Sequence, residues 1–190
     1  MDTPISQPLY QLPDNQLQLP SMPLLFAPPY PPLVPIVPLA PIEPEELSAT
    51  DYESRTVVSV SGYGWYEAPK NLFKFVNARQ LIVDANRLPT LGAQFACFTR
   101  VELVSARHNH LGDVLGANFV AWSRLHTLDL SHNDLHALPA EVAHCTQLRL
   151  VNLNANAFTE VPEGLYKLAN LQVLNMNDNQ LTGTHLIIYS

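Results

Sequence analysis

Serine, histidine and aspartate occur together near the middle of the chain, and these residue types can carry hydrolytic chemistry. Asp129, Ser131 and His132 fall within four positions. A serine nucleophile needs a base within hydrogen-bond reach and a third group that orients the base. On a strand, however, alternate side chains point to opposite faces. We therefore expect no catalytic arrangement of these three residues.

Metal chemistry is the second option, because five histidines fall between positions 108 and 136. They are His108, His110, His126, His132 and His136. Imidazole is a common zinc ligand, but no acidic or cysteine ligand stands at a matching position. The sequence also lacks a Gly-rich phosphate loop, a G-x-S-x-G elbow, C-x-x-C and H-E-x-x-H. We predict no enzyme activity, no metal site and no cofactor.

A repeat of about 23 residues organises the region that holds these side chains. Its clearest unit has Leu125, Leu128, Leu130 and Leu135 around Asn133. Repeats start at residues 78, 101, 125, 148 and 171, and a degenerate first repeat covers residues 55–77. The predicted domain therefore spans residues 55–190, with Tyr63 in place of the first asparagine.

One asparagine recurs in each of the five clear repeats. These residues are Asn86, Asn109, Asn133, Asn156 and Asn179. Each follows a short alternating segment, and its side-chain amide can satisfy backbone groups that a turn leaves unpaired. Apolar pairs three residues apart, such as Phe95 and Phe98, predict a short helix or 3-10 turn in the second half of the repeat.

This pattern resembles the leucine-rich-repeat family, whose signature is L-x-x-L-x-L-x-x-N-x-L. The Leu138-Pro139 pair resembles the intracellular branch of that family. The resemblance implies an α/β fold, namely a solenoid with a parallel concave β-sheet and short helical or 3-10 segments on its convex side. It also implies that a partner contacts the outward strand positions.

The repeat phase gives the residues at those outward positions. The expected partner-binding residues are Asp84, Ser105, Arg107, His108, Asp129, Ser131, His132, Asn152, Asn154, Asn175 and Asn177. This polar, nearly neutral set suits hydrogen-bonded contact with a folded partner. Arg107 is the candidate anchor, although Asp84 and Asp129, on strands about 4.8 Å away, could instead neutralise it within the sheet.

Residues 1–54 differ from the repeats in composition. They hold thirteen of the seventeen prolines, seven acids and no Lys or Arg, so the net charge of −7 belongs to this segment. Six prolines, from Pro29 to Pro44, recur every third residue, which matches the turn of a polyproline II helix. We predict a proline-rich, disordered or polyproline II tail. Its prolines argue against a membrane span, and the neutral repeats argue against a nucleic-acid partner.

These features predict a protein–protein interaction scaffold. The family resemblance suggests a small GTPase, a phosphatase or a cytoskeletal protein as partner. The alternative is a targeting or regulatory module, or a fragment, of a larger signalling enzyme. The absence of a basic leader and of cysteine-clustered caps predicts a cytoplasmic location. We also expect the last repeat, which lacks a polar cap, to permit end-to-end self-association.

Overall fold

The computed structural model describes residues 49–114 and 116–182. Residues 1–48 of the predicted 54-residue tail lie outside the described residues. The elements in chain order are α1 (Ala49–Ser54), β1 (Val57–Ser59), the 3-10 helix η1 (Lys70–Lys74), β2 (Gln80–Ile82), β3 (Thr90–Leu91), η2 (Ala93–Cys97), β4 (Leu103–Ser105), β5 (Asp113–Val114), α2 (Gly116–Ala121), β6 (Thr127–Asp129), η3 (Ala140–His144), β7 (Leu150–Asn152), η4 (Glu163–Lys167) and β8 (Val173–Asn175).

Six of the strands form one parallel sheet in the order β1-β2-β4-β6-β7-β8. The register pairs Leu81 with Val104 and Leu128 with Val151, so equivalent positions of successive repeats lie side by side. A three-residue strand cannot bury its apolar face alone, and stacking against its neighbours supplies the missing contacts. The predicted parallel sheet is confirmed.

Short helical segments form the opposite side of the repeats that start at residues 55, 78, 101, 125 and 148. Four are 3-10 helices, and the 24-residue repeat that starts at 101 has the α-helix α2 instead. Pro69, Pro139 and Pro162 come directly before η1, η3 and η4. The fixed φ of proline suits this position, and its missing N–H is not needed there. These segments confirm the predicted short helix or 3-10 turn.

The core lies between the sheet and the helical segments and continues through all the repeats. Leu81, Val104, Leu128 and Val151 are fully buried on the inner side of the sheet. Trp122 is fully buried in the core, and its Nε1 donates to the carbonyl of Phe95 at 3.1 Å. Apolar burial of this kind is the main stabilising contribution to folding.

The end of the predicted tail belongs to the folded part. Residues 49–54 form α1 rather than a polyproline II or disordered segment, which corrects the predicted boundary at residue 54. Tyr52 is 6% exposed and its ring lies 4.8 Å from that of Phe75, measured between centroids. The helix therefore covers apolar surface that the first repeat would otherwise expose.

The recurring asparagines lie in a row, and each connects two repeats. Asn133 is representative: its Nδ2 donates to the carbonyls of Ala106, Leu130 and Ser131 at 2.9, 3.0 and 3.2 Å. Its Oδ1 accepts the N–H of Leu111 at 3.0 Å. Ala106 and Leu111 belong to the preceding repeat, so each side chain supplies bonds to backbone groups that its neighbour's turn leaves unpaired.

The residue directly before each asparagine has a left-handed backbone. The non-glycine residues with positive φ, between 52° and 56°, are Ala85, His108, His132, Ala155 and Asp178. In the first repeat the same position is Gly62, with φ of +81°. Left-handed φ is unfavourable for residues with a Cβ, so the stacked structure must stabilise the turn.

Candidate functional site

The concave face, meaning the outer side of the six-stranded sheet with its following turns, holds the predicted partner-binding residues. Arg107, His108 and His132 are exposed, and His108 and His132 are adjacent across two repeats. The half-buried members of the predicted set are Asp84, Asp129, Asn152, Asn154 and Asn175. These eight side chains can reach a partner at least in part.

Three other residues of the predicted set are buried. Ser105 is 8% exposed, Ser131 1% and Asn177 9%. The serine hydroxyls are used internally, since Ser105 Oγ donates to Asp84 Oδ1 at 2.6 Å and Ser131 Oγ donates to Asp129 Oδ1 at 2.7 Å. A short side chain beside a larger one is easily covered, so these three side chains offer a partner little surface, and their contact with a partner stays a prediction.

Arg107 lies between two carboxylates, as predicted, but they contact different parts of the residue. Its Nε is 3.8 Å from Asp129 Oδ2, and its side chain is still 46% exposed. Its backbone N–H donates to Asp84 Oδ1 at 2.8 Å. The guanidinium is therefore only loosely paired and can make further hydrogen bonds.

Asp84 is the electrostatically unusual group of the concave face. Burial raises the pKa of its carboxyl above the ordinary value, while the hydrogen bonds from Ser105 and Arg107 oppose that rise. On the neighbouring pair of strands, Asn152 Nδ2 donates to Asp129 Oδ2 at 3.1 Å. Hydrogen bonds between strands thus hold the carboxylates in fixed positions before any partner arrives.

His108 and His132 stack with ring centroids 4.2 Å apart and an interplanar angle of 15°. The hydroxyl of buried Ser131 donates to Asp129, and no hydrogen bond joins it to His132 among the described residues. In residues 49–114 and 116–182 no group of three or more His, Cys, Asp or Glu is placed to hold a metal ion. The pair presents an aromatic, hydrogen-bonding surface in the middle of the concave face.

A second surface was missed by the sequence reasoning and lies in the first repeat. Tyr63 and Trp65 stack with ring centroids 5.2 Å apart. Tyr66 is 66% exposed, and the guanidinium of Arg87 lies over its ring, 5.4 Å from the centroid. We call these four side chains the aromatic shelf. The run Tyr63-Gly-Trp65-Tyr66 was the available signal, because aromatic residues and arginine are enriched at interfaces.

The sequence is similar to known leucine-rich-repeat sequences. Residues 123–181 match the family model for the leucine rich repeat. A 78-residue stretch is 30% identical to the MAP kinase phosphatase with leucine-rich repeats protein 1 of Dictyostelium discoideum, covering 41% of this chain and 9% of that relative. The chain thus spans only a small part of this relative's length. Among the described residues, no helix has the length and apolar character needed to cross a bilayer.

Solved structures give the same fold. The ectodomain of the receptor kinase SOBIR1 from Arabidopsis thaliana superposes with a TM-score of 0.52 at 22% identity, over 68% of each chain. The ectodomain of GASSHO1/SCHENGEN3 from the same plant, solved in complex with Casparian strip integrity factor 2, gives 0.55 at 27% identity, over 66% of this chain and 15% of that one. Together with the stacked parallel strands, these likenesses lead to one conclusion: the chain has the leucine-rich-repeat fold, and its residues 123–181 carry the repeat of that family.

Proposed function

We propose that the chain is an interaction scaffold that binds a partner protein through its concave face. The observation that carries this proposal is the exposed group formed by Arg107, His108 and His132 at the centre of the sheet. Arginine and aromatic side chains contribute most of the binding energy in many interfaces. Their central position in the sheet matches the place where such contacts usually lie.

The chemistry of the face indicates the kind of partner. The Arg107 guanidinium lies beside the Asp129 carboxylate, and the Asp84 carboxylate accepts the backbone N–H of Arg107. The amides of Asn152 and Asn154 continue the polar surface across the next strand. Such a mixed, nearly neutral surface fits the polar surface of a folded protein better than a polyanion. Small GTPases, phosphatases and cytoskeletal proteins are the partner classes we propose to test.

The comparisons support binding of a protein in general terms. The GASSHO1/SCHENGEN3 ectodomain was solved in complex with Casparian strip integrity factor 2, which is an example of partner binding on the same fold. Nothing in that complex identifies the contact residues of this chain. The inference for Arg107, His108 and His132 therefore rests on their own exposure and geometry.

The alternative function is a targeting or regulatory module of a larger signalling enzyme. The Dictyostelium relative supports this alternative, since its name joins leucine-rich repeats to a MAP kinase phosphatase. In this case the concave face recruits the substrate or regulator of a catalytic domain. Recovery of a transcript that joins these repeats to a catalytic domain favours the alternative over an independent scaffold.

We also propose a cytoplasmic location. Cys97 and Cys145 are free thiols in the structure. Burial raises the pKa of Cys97, and raises that of Cys145 to about 12, which keeps both thiols protonated and unreactive at neutral pH. Free cysteines are usual in a reducing compartment. Fluorescence imaging of the tagged full chain tests this location, and accumulation in the medium contradicts it.

The capture experiment compares three full-length proteins that carry the same affinity tag. The test variant is Arg107→Ala/His108→Ala/His132→Ala, and the control is His144→Ala/Lys167→Ala, which changes exposed residues of η3 and η4 on the helical side. Alanine already occupies the left-handed turn position at Ala85 and Ala155, so the test variant keeps an accepted backbone.

Proteins captured from a cell extract are quantified by mass spectrometry. We expect the wild type and the control to capture the same partner set, and the triple variant to lose it by about tenfold or more, the effect of removing one interface hot spot. Equal capture by all three proteins contradicts binding through the concave face. Static light scattering tests the expected end-to-end self-association, which requires a mass that rises with concentration.

A further inference from the structure

Tyr63 and Trp65 of the aromatic shelf also pack against the hydrophobic core, whereas Tyr66 exceeds what the repeat fold requires. The other repeats have asparagine where the first has Tyr63, and Tyr66 is exposed rather than packed in the core. Arg87 Nη1 donates to the Tyr66 hydroxyl at 2.7 Å, which fixes the exposed ring while leaving the phenol proton free to donate. A large aromatic side chain held rigid at the surface is the usual form of a binding anchor.

The backbone beside the shelf is open. Gly62 and Gly64 have φ of +81° and +68°, and a Cβ built at either residue meets no atom within 4 Å. The two glycines therefore leave room for an extended peptide to approach the exposed part of the half-buried Tyr63 and Trp65 rings. A peptide in this position also meets Trp65 Nε1, for which the described residues provide no hydrogen-bond acceptor.

Aromatic faces combined with hydrogen-bond donors are the usual binding surface for polyproline II segments. Such a segment has no internal hydrogen bonds, so its carbonyls are free to accept, and its proline rings pack on aromatic rings. The sequence contains a segment of this kind, with proline at positions 29, 32, 35, 38, 41 and 44. We propose that the aromatic shelf binds residues 29–44 of the same chain.

The segment is long enough to reach the shelf. α1 begins five residues after Pro44, and Tyr52 of α1 is fixed against Phe75 of the first repeat. Trp65 and Phe75 are ten residues apart, so their Cα atoms cannot be separated by more than about 36 Å. The twenty residues between Pro29 and Ala49 span about 62 Å in a polyproline II conformation. Contact within one molecule is therefore geometrically accessible.

Charge favours the same occupant. Glu43, Glu45 and Glu46 lie at the end of the proline-periodic segment, and residues 1–54 contain no Lys or Arg. The shelf carries the guanidinium of Arg87, over the Tyr66 ring. Tethering in one chain also gives an effective concentration in the millimolar range, so a weak contact is enough for substantial occupancy.

Acrylamide quenching of tryptophan fluorescence tests this proposal on the full chain. The chain has two tryptophans, and Trp122 is fully buried, so Trp65 dominates the quenching. The test variant replaces Pro29, Pro32, Pro35, Pro38, Pro41 and Pro44 with serine. The matched control replaces Pro4, Pro8 and Pro13 with serine, outside the periodic segment.

We expect the quenching constant to rise about twofold in the test variant and to stay unchanged in the control, as for a tethered contact that shields about half of the molecules. An equal constant in all three proteins overturns the proposal. A constant in the wild type that falls as protein concentration increases means that a second copy supplies the segment, which also contradicts binding within one chain.

A photo-crosslink gives an independent readout. Benzoyl-phenylalanine replaces exposed Tyr66 in the full chain, and irradiation is expected to join it to residues 29–44. Because Arg55 is the first cation, trypsin releases residues 1–55 as one peptide, and residues 56–70 carry the label. Exclusive cross-links to the repeats overturn the proposal. Neither experiment changes Arg107, His108 or His132, so a negative result leaves the concave-face proposal standing.

Discussion

The first repeat and the repeats after it share one fold but differ at the turn. Asn86 Nδ2 donates to the carbonyl of Val60 at 2.8 Å, and its Oδ1 accepts the N–H groups of Tyr63 and Trp65. All three partners lie in the first repeat. Asn86 Nδ2 also donates to the carbonyls of Val83 and Asp84 in its own repeat. An asparagine thus connects its own turn to the repeat before it, and the first repeat, which follows α1 rather than another repeat, has no such neighbour to bind.

The residue before the turn asparagine differs in the same way. The first repeat has Gly62 in the left-handed conformation, while the later repeats have alanine, histidine or aspartate there. Inner repeats have a neighbour on both sides to hold a strained turn, whereas the first repeat follows α1. Glycine avoids the strain that the first repeat is less able to offset.

Replacing a turn asparagine of a later repeat is expected to lower the stability of the protein more than replacing the equivalent residue of the first repeat. Asn133→Ala leaves the buried Leu111 N–H without an acceptor, while the Ala106 carbonyl still accepts from Asn109 Nδ2. Because a stranded buried group costs about 1–3 kcal/mol, we expect a loss of about 1–3 kcal/mol in the free energy of unfolding. Urea denaturation followed by circular dichroism measures this loss.

Tyr63→Ala is the matched control, because it changes the equivalent position in the first repeat. The expected loss is below about 1.5 kcal/mol, mainly from the stacked contact with Trp65. If the two substitutions cost the same, asparagine does not act across the repeat interface.

Steric fit between neighbouring helical segments gives the second prediction. A Cβ at Gly164 of η4 would lie 2.5 Å from Val142 Cγ1 and 3.0 Å from the carbonyl oxygen of Ala140, both in η3. Val142 is fully buried, so we expect Gly164→Ala to cost about 1–3 kcal/mol. Gly112→Ala is the control, since its Cβ meets nothing within 4 Å. Equal melting temperatures for both variants contradict the tight packing.

Substitutions at the left-handed turn position are expected to change stability by a smaller amount, with opposite signs in the first repeat and in a later repeat. Ala85→Gly removes a Cβ at φ of 52° and is expected to stabilise the protein by up to about 1 kcal/mol. Gly62→Ala introduces the same strain and is expected to destabilise it by a similar amount. Thermal unfolding measures both changes, and a shift of the same sign in both variants rejects the strain argument.

The pH dependence of Asp84 gives the smallest expected effect. Burial raises its pKa in the folded state, so the protonated form contributes stability below the unfolded value of 3.8, and this contribution is lost as the pH rises through the folded pKa. Asp84→Asn should therefore be slightly more stable than the wild type at pH 7, and this difference should shrink toward pH 3. Urea midpoints across this range check the trend, and a growing difference at low pH contradicts it.

The sheet, its direction and the helical segments could be predicted because the same pattern occurs five times. A strand position such as Leu128 is supported by its equivalents Val104 and Val151, and a chance match is unlikely to repeat in phase. The left-handed residue before each asparagine was not predicted, since alanine, histidine and aspartate share no side-chain property that signals positive φ.

The candidate site could be predicted only in part. Alternation of side chains along a strand correctly placed Arg107 on the outward face. Alternation does not show how larger neighbouring side chains cover a short side chain, so the burial of Ser105 and Ser131 was not predicted. α1 was missed because one apolar residue, Tyr52, fixes it and the surrounding composition resembles the tail. The aromatic shelf was not predicted, because Trp65 occupies an apolar position of the repeat signature and Tyr63 replaces the asparagine, so the signature indicates no exposed aromatic surface there.

Histidine modification tests the concave-face account most directly. Diethyl pyrocarbonate labels exposed imidazoles, and the full chain offers His108 and His132 on the concave face and His144 in η3 as an internal control. Labelling is compared by mass spectrometry between the free chain and the chain bound to its captured partner. The account predicts that the partner protects His108 and His132 and leaves His144 unchanged. Protection of His144 with full labelling of the stacked pair contradicts it.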